Sequence, residues 1–497
     1  MGSTVAGSDG QGLPEKVKGL MGGLTADLMD LVGVRSVYEP DHMTDVQEAA
    51  GRAAKLLAGA GLTKVGLLDI SSATDGTAAP DGEVTKDAPL VYGSYRRPDT
   101  GAKAPTVLLY AHYDVVPTDE TQWEEAFKPE KDPDTNRLKG RGAADDKSGV
   151  MMHVGTLRAF DGKPPVNLTV VLEGEEESGR GSLEAYIQAH PEKFKADVIV
   201  IADGGNHRLG EPTLTTSLRG FVAMNVTVTT LEHGTKHSGM FGGPAPDAFM
   251  VLARMLARLH DNDGNVAVPG LVTDVWDGVQ PAEEEFRADA GVLKETRLIG
   301  TGSLGSRLYT KPSINVVGLT SKLPPHDKPV NQLIDTVTAR IGMRIAPRED
   351  PKNAAQRLRE FLERVDVNPW RARVDISCDA DLGRGFTAKT DVPNFQVARE
   401  ALEKAYPGKT TQSAGQGASI PLVSLLQANN PEAAVLVLGC EEPQCLIHAL
   451  HESVSLDELE HMTLAQSYLL HLLGALGTPV GSGTDDTRVP VATSSYS

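Results

Sequence analysis

The sequence predicts an α/β fold in which a mostly parallel sheet is flanked by helices and a smaller α+β domain is inserted. Three observations support this prediction: the length of 497 residues, the alternation of short apolar runs with amphipathic stretches, and a middle region of one-sided strands. Because a single hydrophobic core stops growing at about 250–300 residues, the length indicates at least two domains.

Four short runs are almost entirely apolar, as is typical of strands that helices cover on both sheet faces. These predicted strands are 106–110, 167–172, 197–202 and 433–438. Other stretches have the apolar spacing of amphipathic helices. These predicted helices are 146–160, 182–190, 353–365, 391–405 and 455–473. Alternation of strands and helices favours parallel strand pairing.

The middle of the chain has a different pattern, with strands that alternate between apolar and polar residues. These strands are 221–230, 313–319 and 339–347, and an amphipathic stretch lies at 244–260. Alternation is typical of sheets with one face exposed to solvent. We therefore divide the chain into a main domain, an inserted domain and a flexible tail. The main domain is 14–214 with 389–476, the insert 215–388 and the tail 477–497.

Composition narrows the choice of partners and compartment. The chain has 48 Lys+Arg and 67 Asp+Glu, a formal charge of −19, which repels nucleic acids and anionic membrane surfaces. No apolar run approaches the length of a membrane span, and the first residues lack the pattern of a signal peptide. Three cysteines are too few for a disulfide framework and suit a reducing compartment. We expect a cytoplasmic protein without nucleic acid or membrane partners.

Histidines and acids follow the predicted strands. His112 and Asp114 point to the same face of an extended chain, an arrangement that orients metal-bound imidazoles but equally suits a buried hydrogen bond without metal. Asp145 and Asp146 precede a predicted helix, and an acidic run, Glu173–Glu177, follows the strand 167–172. Considered alone, the pair Asp145–Asp146 is more typical of a loop with a helix cap, and an acidic run is usually a solvated surface.

Taken together, the strand-end segments predict a metal site. Asp203 follows a third apolar strand, and His448 lies shortly after the fourth. Two imidazoles and several carboxylates are more ligands than one catalytic zinc ion needs, and they suit two ions that share a bridging carboxylate. The donors are nitrogen and oxygen, which suits zinc first, with manganese or cobalt as alternatives. A neighbouring carboxylate without a metal can act as a general base.

These segments resemble the M20 metallopeptidases, most closely the carnosinase-like dipeptidase branch. The matching stretches occur in family order between 106 and 452. They read TVLLYAHYDVVP, GRGAADDKSG, LEGEEESG, VIVIADGG, KHSGMFGG, GASIP and HALHE. The resemblance implies a di-zinc peptidase-like catalytic domain, an inserted lid and dimerisation domain, and hydrolysis of dipeptides or very short peptides.

The resemblance also implies roles for individual residues. One metal is held by His112 and Asp203, and the other by Glu177 and His448. Asp145 bridges both ions, and a cis peptide is expected between it and Asp146.

The catalytic and substrate-binding roles follow from the same resemblance. Glu176 is the implied general base, ranked above Glu175, and Asp114 orients His112. His237 is the implied lid histidine that stabilises the oxyanion at the partner subunit's site, so we expect a homodimer formed through the lid. Arg344 and Ser419 are expected to bind the substrate carboxylate.

Two alternatives remain open at this stage. A related deacylase that acts on N-acyl amino acids would use the same metal set. A non-catalytic metal-binding scaffold is a second alternative, although the pair Glu176–Glu177 argues against it, because a scaffold has no use for an unligated carboxylate beside a metal.

Overall fold

The computed structural model describes residues 10, 12–70, 87–98, 104–378, 382–417 and 420–476. The predicted tail at 477–497 and Ser419 lie outside these residues. The described strands, in chain order, are β1 Lys64–Leu68, β2 Leu90–Tyr95, β3 Thr106–His112, β4 Glu130–Asp132, β5 Arg137–Lys139, β6 Asn167–Glu173, β7 Val198–Ile201, β8 Thr213–Leu218, β9 Gly220–Thr229, β10 Lys236–His237, β11 Ser313–Ser321, β12 Gln332–Leu333, β13 Thr336–Ile345, β14 Arg373–Cys378, β15 Phe386–Thr387, β16 Gln412–Gln416, β17 Ala434–Val437 and β18 Ser453–Ser455.

The described α-helices begin and end close to the predicted bounds where the apolar spacing is clear. In chain order they are α1 Leu13–Val32, α2 Met43–Gly59, α3 Lys147–Ala159, α4 Ser182–Ala189, α5 Ser238–Phe241, α6 Ala248–Ala257, α7 Glu283–Asp289, α8 Pro351–Leu362, α9 Pro393–Ala405, α10 Pro421–Asn429 and α11 Leu456–Leu476. No described helix combines the length and the apolar character that crossing a membrane requires.

The largest sheet is mixed rather than uniformly parallel. Its order is β1-β2-β6-β3-β7-β17-β8-β15, with β16 paired to β8. The central strands β6, β3, β7 and β17 are parallel, whereas β1, β2 and β15 pair antiparallel. Helices α3 and α9 pack against β3 and β17. The predicted α/β fold is confirmed, but the apolar runs did not indicate the direction of the edge strands.

A second sheet, of order β11-β13-β9-β14, is antiparallel throughout. Helices α6 and α8 pack against it and enclose a hydrophobic cluster of its own, separate from the cluster around the large sheet. Inward residues such as Val226 and Ile341 are fully buried. Every second residue of β14 is exposed, so one face of this strand is open to solvent.

Candidate metal centre

The parallel strands place their carboxyl ends at one edge of the large sheet, where α/β proteins commonly bind ligands. His112 is the last residue of β3, and the acidic run begins at Glu173, the last residue of β6. Asp203 lies two residues beyond β7. The segment that carries His448 follows β17. The fold therefore collects side chains that are far apart in the sequence.

Two groups of potential metal ligands lie at this edge, and Asp145 belongs to both. His112, Asp145 and Asp203 form one group, and Asp145, Glu177 and His448 form the other; the ligand atoms within each group lie within 4.8 Å of one another. Asp145 Oδ1 is 2.9 Å from His112 Nε2, and Asp145 Oδ2 is 3.1 Å from His448 Nε2. The two oxygens of one carboxylate thus face two different imidazoles.

The charges of the cluster fit divalent cations. Burial, followed by repulsion from Asp145, raises the pKa of Asp203 to about 7. Hydrogen bonds to Asp145 and Glu177 raise the pKa of His448 to about 10. Neighbouring carboxylates contribute to both shifts, and a positive charge between them would stabilise these carboxylates. With only nitrogen and oxygen donors in both groups, the residues suit zinc, manganese or cobalt.

Asp114 organises the segments around the cluster. His112 Nδ1 lies 3.1 Å from the Asp114 carbonyl oxygen and 3.3 Å from Asp114 Oδ1, so the other ring nitrogen is directed at Asp145. The backbone N–H groups of Glu176 and Glu177 donate to the same carboxylate, at 3.3 and 3.0 Å. Asp114 therefore orients one imidazole through its carbonyl and carboxylate oxygens, and its carboxylate fixes the acidic turn. The peptide between Asp145 and Asp146 is cis, as expected.

The acids of the 173–177 run have different contacts. Glu173 accepts a hydrogen bond from the Tyr110 hydroxyl at 2.7 Å, and Glu175 accepts one from the Ser182 backbone at 2.8 Å. Glu176 belongs to neither ligand group among the described residues. Burial, followed by repulsion from Asp203, holds the pKa of Glu176 well above its usual range. This carboxylate therefore lies at the cluster without a place in either group.

A family model described as peptidase family M20/M25/M40 matches residues 108–471. The chain belongs to this family. The predicted membership in M20 is thereby confirmed, and the matched range spans every residue of the two ligand groups.

Named relatives of this M20 chain are dipeptidases. A cysteinylglycine-S-conjugate dipeptidase of Corynebacterium striatum is 37% identical over 378 residues, 75% of this chain and 82% of that protein. A β-Ala-His dipeptidase of Rattus norvegicus is 27% identical over 372 residues, 70% of this chain and 72% of the relative. The solved structure of the di-peptidase Dug1p from Saccharomyces cerevisiae superposes with a TM-score of 0.77 at 20% identity, covering 94% of this chain and 99% of Dug1p. That superposition confirms the α/β fold.

Glu452 is a residue of the site that sequence reasoning missed, although it lies in the HALHE segment. Its carboxylate accepts hydrogen bonds from Arg141 Nη1 at 2.6 Å and from the backbone N–H groups of Gly142, Ala144 and Asp145 at 2.9–3.1 Å. This buried side chain thus ties the segment that carries His448 to the segment that carries Asp145. The acidic residue next to the second histidine of HALHE was its only signal in the sequence.

Two further predicted residues, His237 and Arg344, do not join the cluster in the described contacts. His237 is exposed in β10, and its Nδ1 accepts a hydrogen bond from the Gly239 backbone at 3.1 Å. Arg344 lies in β13 with its guanidinium 4.8 Å from the centre of the Phe221 ring, and burial lowers its pKa. Ser419 lies outside the described residues. All three predicted roles remain predictions.

Proposed function

We propose that this M20 chain hydrolyses the peptide bond of dipeptides or very short peptides with two divalent ions. The observation that carries the proposal is the pair of ligand groups sharing Asp145, with the unligated carboxylate of Glu176 beside them. The dipeptidase names of the relatives support the same substrate class.

The five ligand residues have complementary tasks. His112 and Asp203 would hold one ion, Glu177 and His448 the other, and Asp145 both. Zinc is our first choice, with manganese and cobalt as alternatives that accept the same donors. Such an ion pair supplies an acidified water and polarises the substrate carbonyl.

Glu176 moves the proton in this mechanism. Its carboxylate takes a proton from the attacking water and returns it to the leaving amine, so the same group acts first as a general base and then as a general acid. Asp114 keeps Glu176 in place through the backbone of the acidic turn, and its carbonyl and carboxylate oxygens keep His112 in place through Nδ1.

The second hydrophobic cluster supports a separate domain at 215–388, which we propose as the lid. In this assignment His237 stabilises the oxyanion at the partner subunit's site, while Arg344 and Ser419 bind the substrate carboxylate. Arg344 suits this task because a guanidinium forms two parallel hydrogen bonds to a carboxylate.

We also propose a homodimer through the lid and a cytoplasmic location. The homodimer is supported by exposed apolar side chains on the edge strand β11, including Val317, which is 58% exposed. The location is supported by the small number of cysteines: the chain has three, too few for the disulfide framework that is typical of secreted proteins.

A substrate panel tests the proposed reaction. Amine release would be measured from dipeptides, tripeptides and N-acetyl amino acids, first after removal of metal with a chelator and again after zinc or manganese is restored. We expect cleavage of the dipeptides, lost on chelation and recovered with metal. Release from N-acetyl amino acids alone would identify a deacylase, and silence across the panel with metal bound would indicate a scaffold; either result contradicts the proposal.

A further inference from the structure

Glu441 is a buried carboxylate beside the metal centre to which the mechanism above gives no task. It lies four residues beyond the end of β17, and its backbone is fixed to the loop that follows Asp203. The Asn206 N–H donates to the Glu441 carbonyl at 2.8 Å. A Cβ atom on Gly205 would lie 1.9 Å from that same oxygen, so the close approach requires glycine. The position of Glu441 is therefore tied to that of Asp203.

The side chain of Glu441 is 9% exposed, and its Oε1 is buried without a hydrogen-bond partner among the described residues. The adjacent Glu442 differs, because its carboxylate pairs with Arg137 at 2.6 Å and accepts the Gln444 N–H at 2.8 Å. A buried carboxylate oxygen without a partner is costly. A donor from a bound molecule would remove that cost.

Glu441 also lies in the wall of a cavity of about 600 Å³. Gly205 and Asn206, just beyond Asp203, line one side of the cavity, and Leu446 and Ile447, just before His448, line another. Further walls come from apolar side chains of a distant segment, among them Phe286 and Tyr309. The cavity therefore adjoins the loops that carry Asp203 and His448, and it offers room for a substrate side chain.

The charges around Glu441 indicate which kind of hydrogen-bond donor its carboxylate would bind. Glu441 interacts electrostatically with Asp145 and Asp203, so it adds negative charge to a cluster that is already acidic. Neither group of described residues with metal-ligand spacing includes Glu441. A third metal would need further ligands at this point, whereas an ammonium group needs only a few well-placed acceptors.

We propose that the Glu441 carboxylate binds the free N-terminal ammonium of the substrate, while the adjoining cavity receives the side chain of the same substrate residue. This inference rests on the proposed dipeptidase function and deepens it. It explains how one metal set can favour dipeptides over N-acyl amino acids, since an acylated nitrogen carries no charge to pair with Glu441.

The test compares two ligands that differ in one group: leucyl-glycine and isocaproyl-glycine, which has hydrogen in place of the ammonium. Binding is measured by calorimetry on zinc-loaded E176Q, which should not turn the dipeptide over, and on E176Q/E441Q. We expect the second substitution to weaken leucyl-glycine binding by about 10- to 100-fold, the range of hydrogen bonds to charged groups. Binding of isocaproyl-glycine should change by less than about threefold. The matched control is E432Q in the E176Q background, at an exposed glutamate before β17, with unchanged affinity for both ligands.

Equal weakening of both ligands, no weakening of either, or loss of zinc from E176Q/E441Q would overturn the assignment. If the double variant does not fold, E176Q alone decides, because equal affinity for the two ligands excludes recognition of the ammonium. Failure of the dipeptidase function itself has a different signature: the wild-type enzyme would cleave no dipeptide at all. The two failures are therefore distinguishable.

Discussion

At the scale of single residues, Glu452 shows how much of the metal centre depends on side chains that never touch a metal. It is 1% exposed and faces Arg141, which is 2% exposed. Burial raises the pKa of Glu452, while the backbone hydrogen bond from Gly142 and the charge of Arg141 oppose that rise. Removing the negative charge would leave a buried guanidinium without its partner, which is strongly destabilising.

We therefore expect the E452Q variant to bind zinc about 10- to 100-fold more weakly, because the residues that orient metal ligands typically contribute that much. The measurement is competition with a chromophoric chelator at fixed pH. The E432Q variant serves as the control and should bind zinc as the wild type does. Unchanged zinc affinity in E452Q would show that Glu452 stabilises the fold without positioning Asp145.

The sequence indicates candidate ligand residues but not the residues that support them. His112 and Asp114 stand two apart on a strand, and Asp203 follows an apolar run, so local patterns indicate both. Glu452 acts through partners more than 300 positions away. Glu441 stands out because one of its buried carboxylate oxygens has no hydrogen-bond partner in the part of the chain that the structure describes. Such relations appear only when the chain is folded, because no local pattern encodes them.

At the scale of elements, β11 lies at one edge of the antiparallel sheet, and β14 lies at the other. Val316 and Val317 are 47% and 58% exposed on adjacent positions, next to an irregularity in the pairing with β13. An edge strand with exposed apolar side chains is a template for pairing with another chain. This strand is therefore the part of the lid that we expect to meet the second subunit.

We expect the V317E variant to be a monomer, because a charge on each copy would face an apolar partner surface. Light scattering measures the mass, and dipeptide turnover measures the consequence. Activity should fall with the dimer if His237 acts at the partner's site. V365E, the same change at an exposed valine just beyond α8, is the control and should stay dimeric. A wild-type monomer, or a dimeric V317E, would contradict the interface.

The observed strands agree most closely with the predicted ones where burial on both faces of the sheet determines the residue pattern. The apolar runs predicted β3, β6, β7 and β17 within a few residues, because burial on both faces leaves a simple signal. The antiparallel edges of the large sheet were not predicted, since strand direction depends on partners. The short strands β4, β5 and β18 form one small sheet. They were not predicted, because three residues are too few to show a periodic pattern of apolar side chains.

At the scale of the whole molecule, each of the two hydrophobic clusters supports a different part of the proposed enzyme. The cluster around the large sheet holds the strand ends that carry the ligand residues. The second cluster supports the sheet that carries Arg344 and the edge strand β11. A chain of this length needs more than one core. This arrangement lets the candidate metal centre and the proposed lid be built on separate hydrophobic cores.

The central claim is that two ions share Asp145 while Glu176 remains free to move a proton. Stripped wild-type protein and the E176Q variant would each be titrated with zinc while bound metal and dipeptide turnover are measured. We predict that both proteins bind two equivalents and that E176Q turns over about 10²- to 10⁴-fold more slowly, the usual contribution of a general base. Full wild-type activity at one equivalent, or substantial turnover by E176Q, would contradict the account.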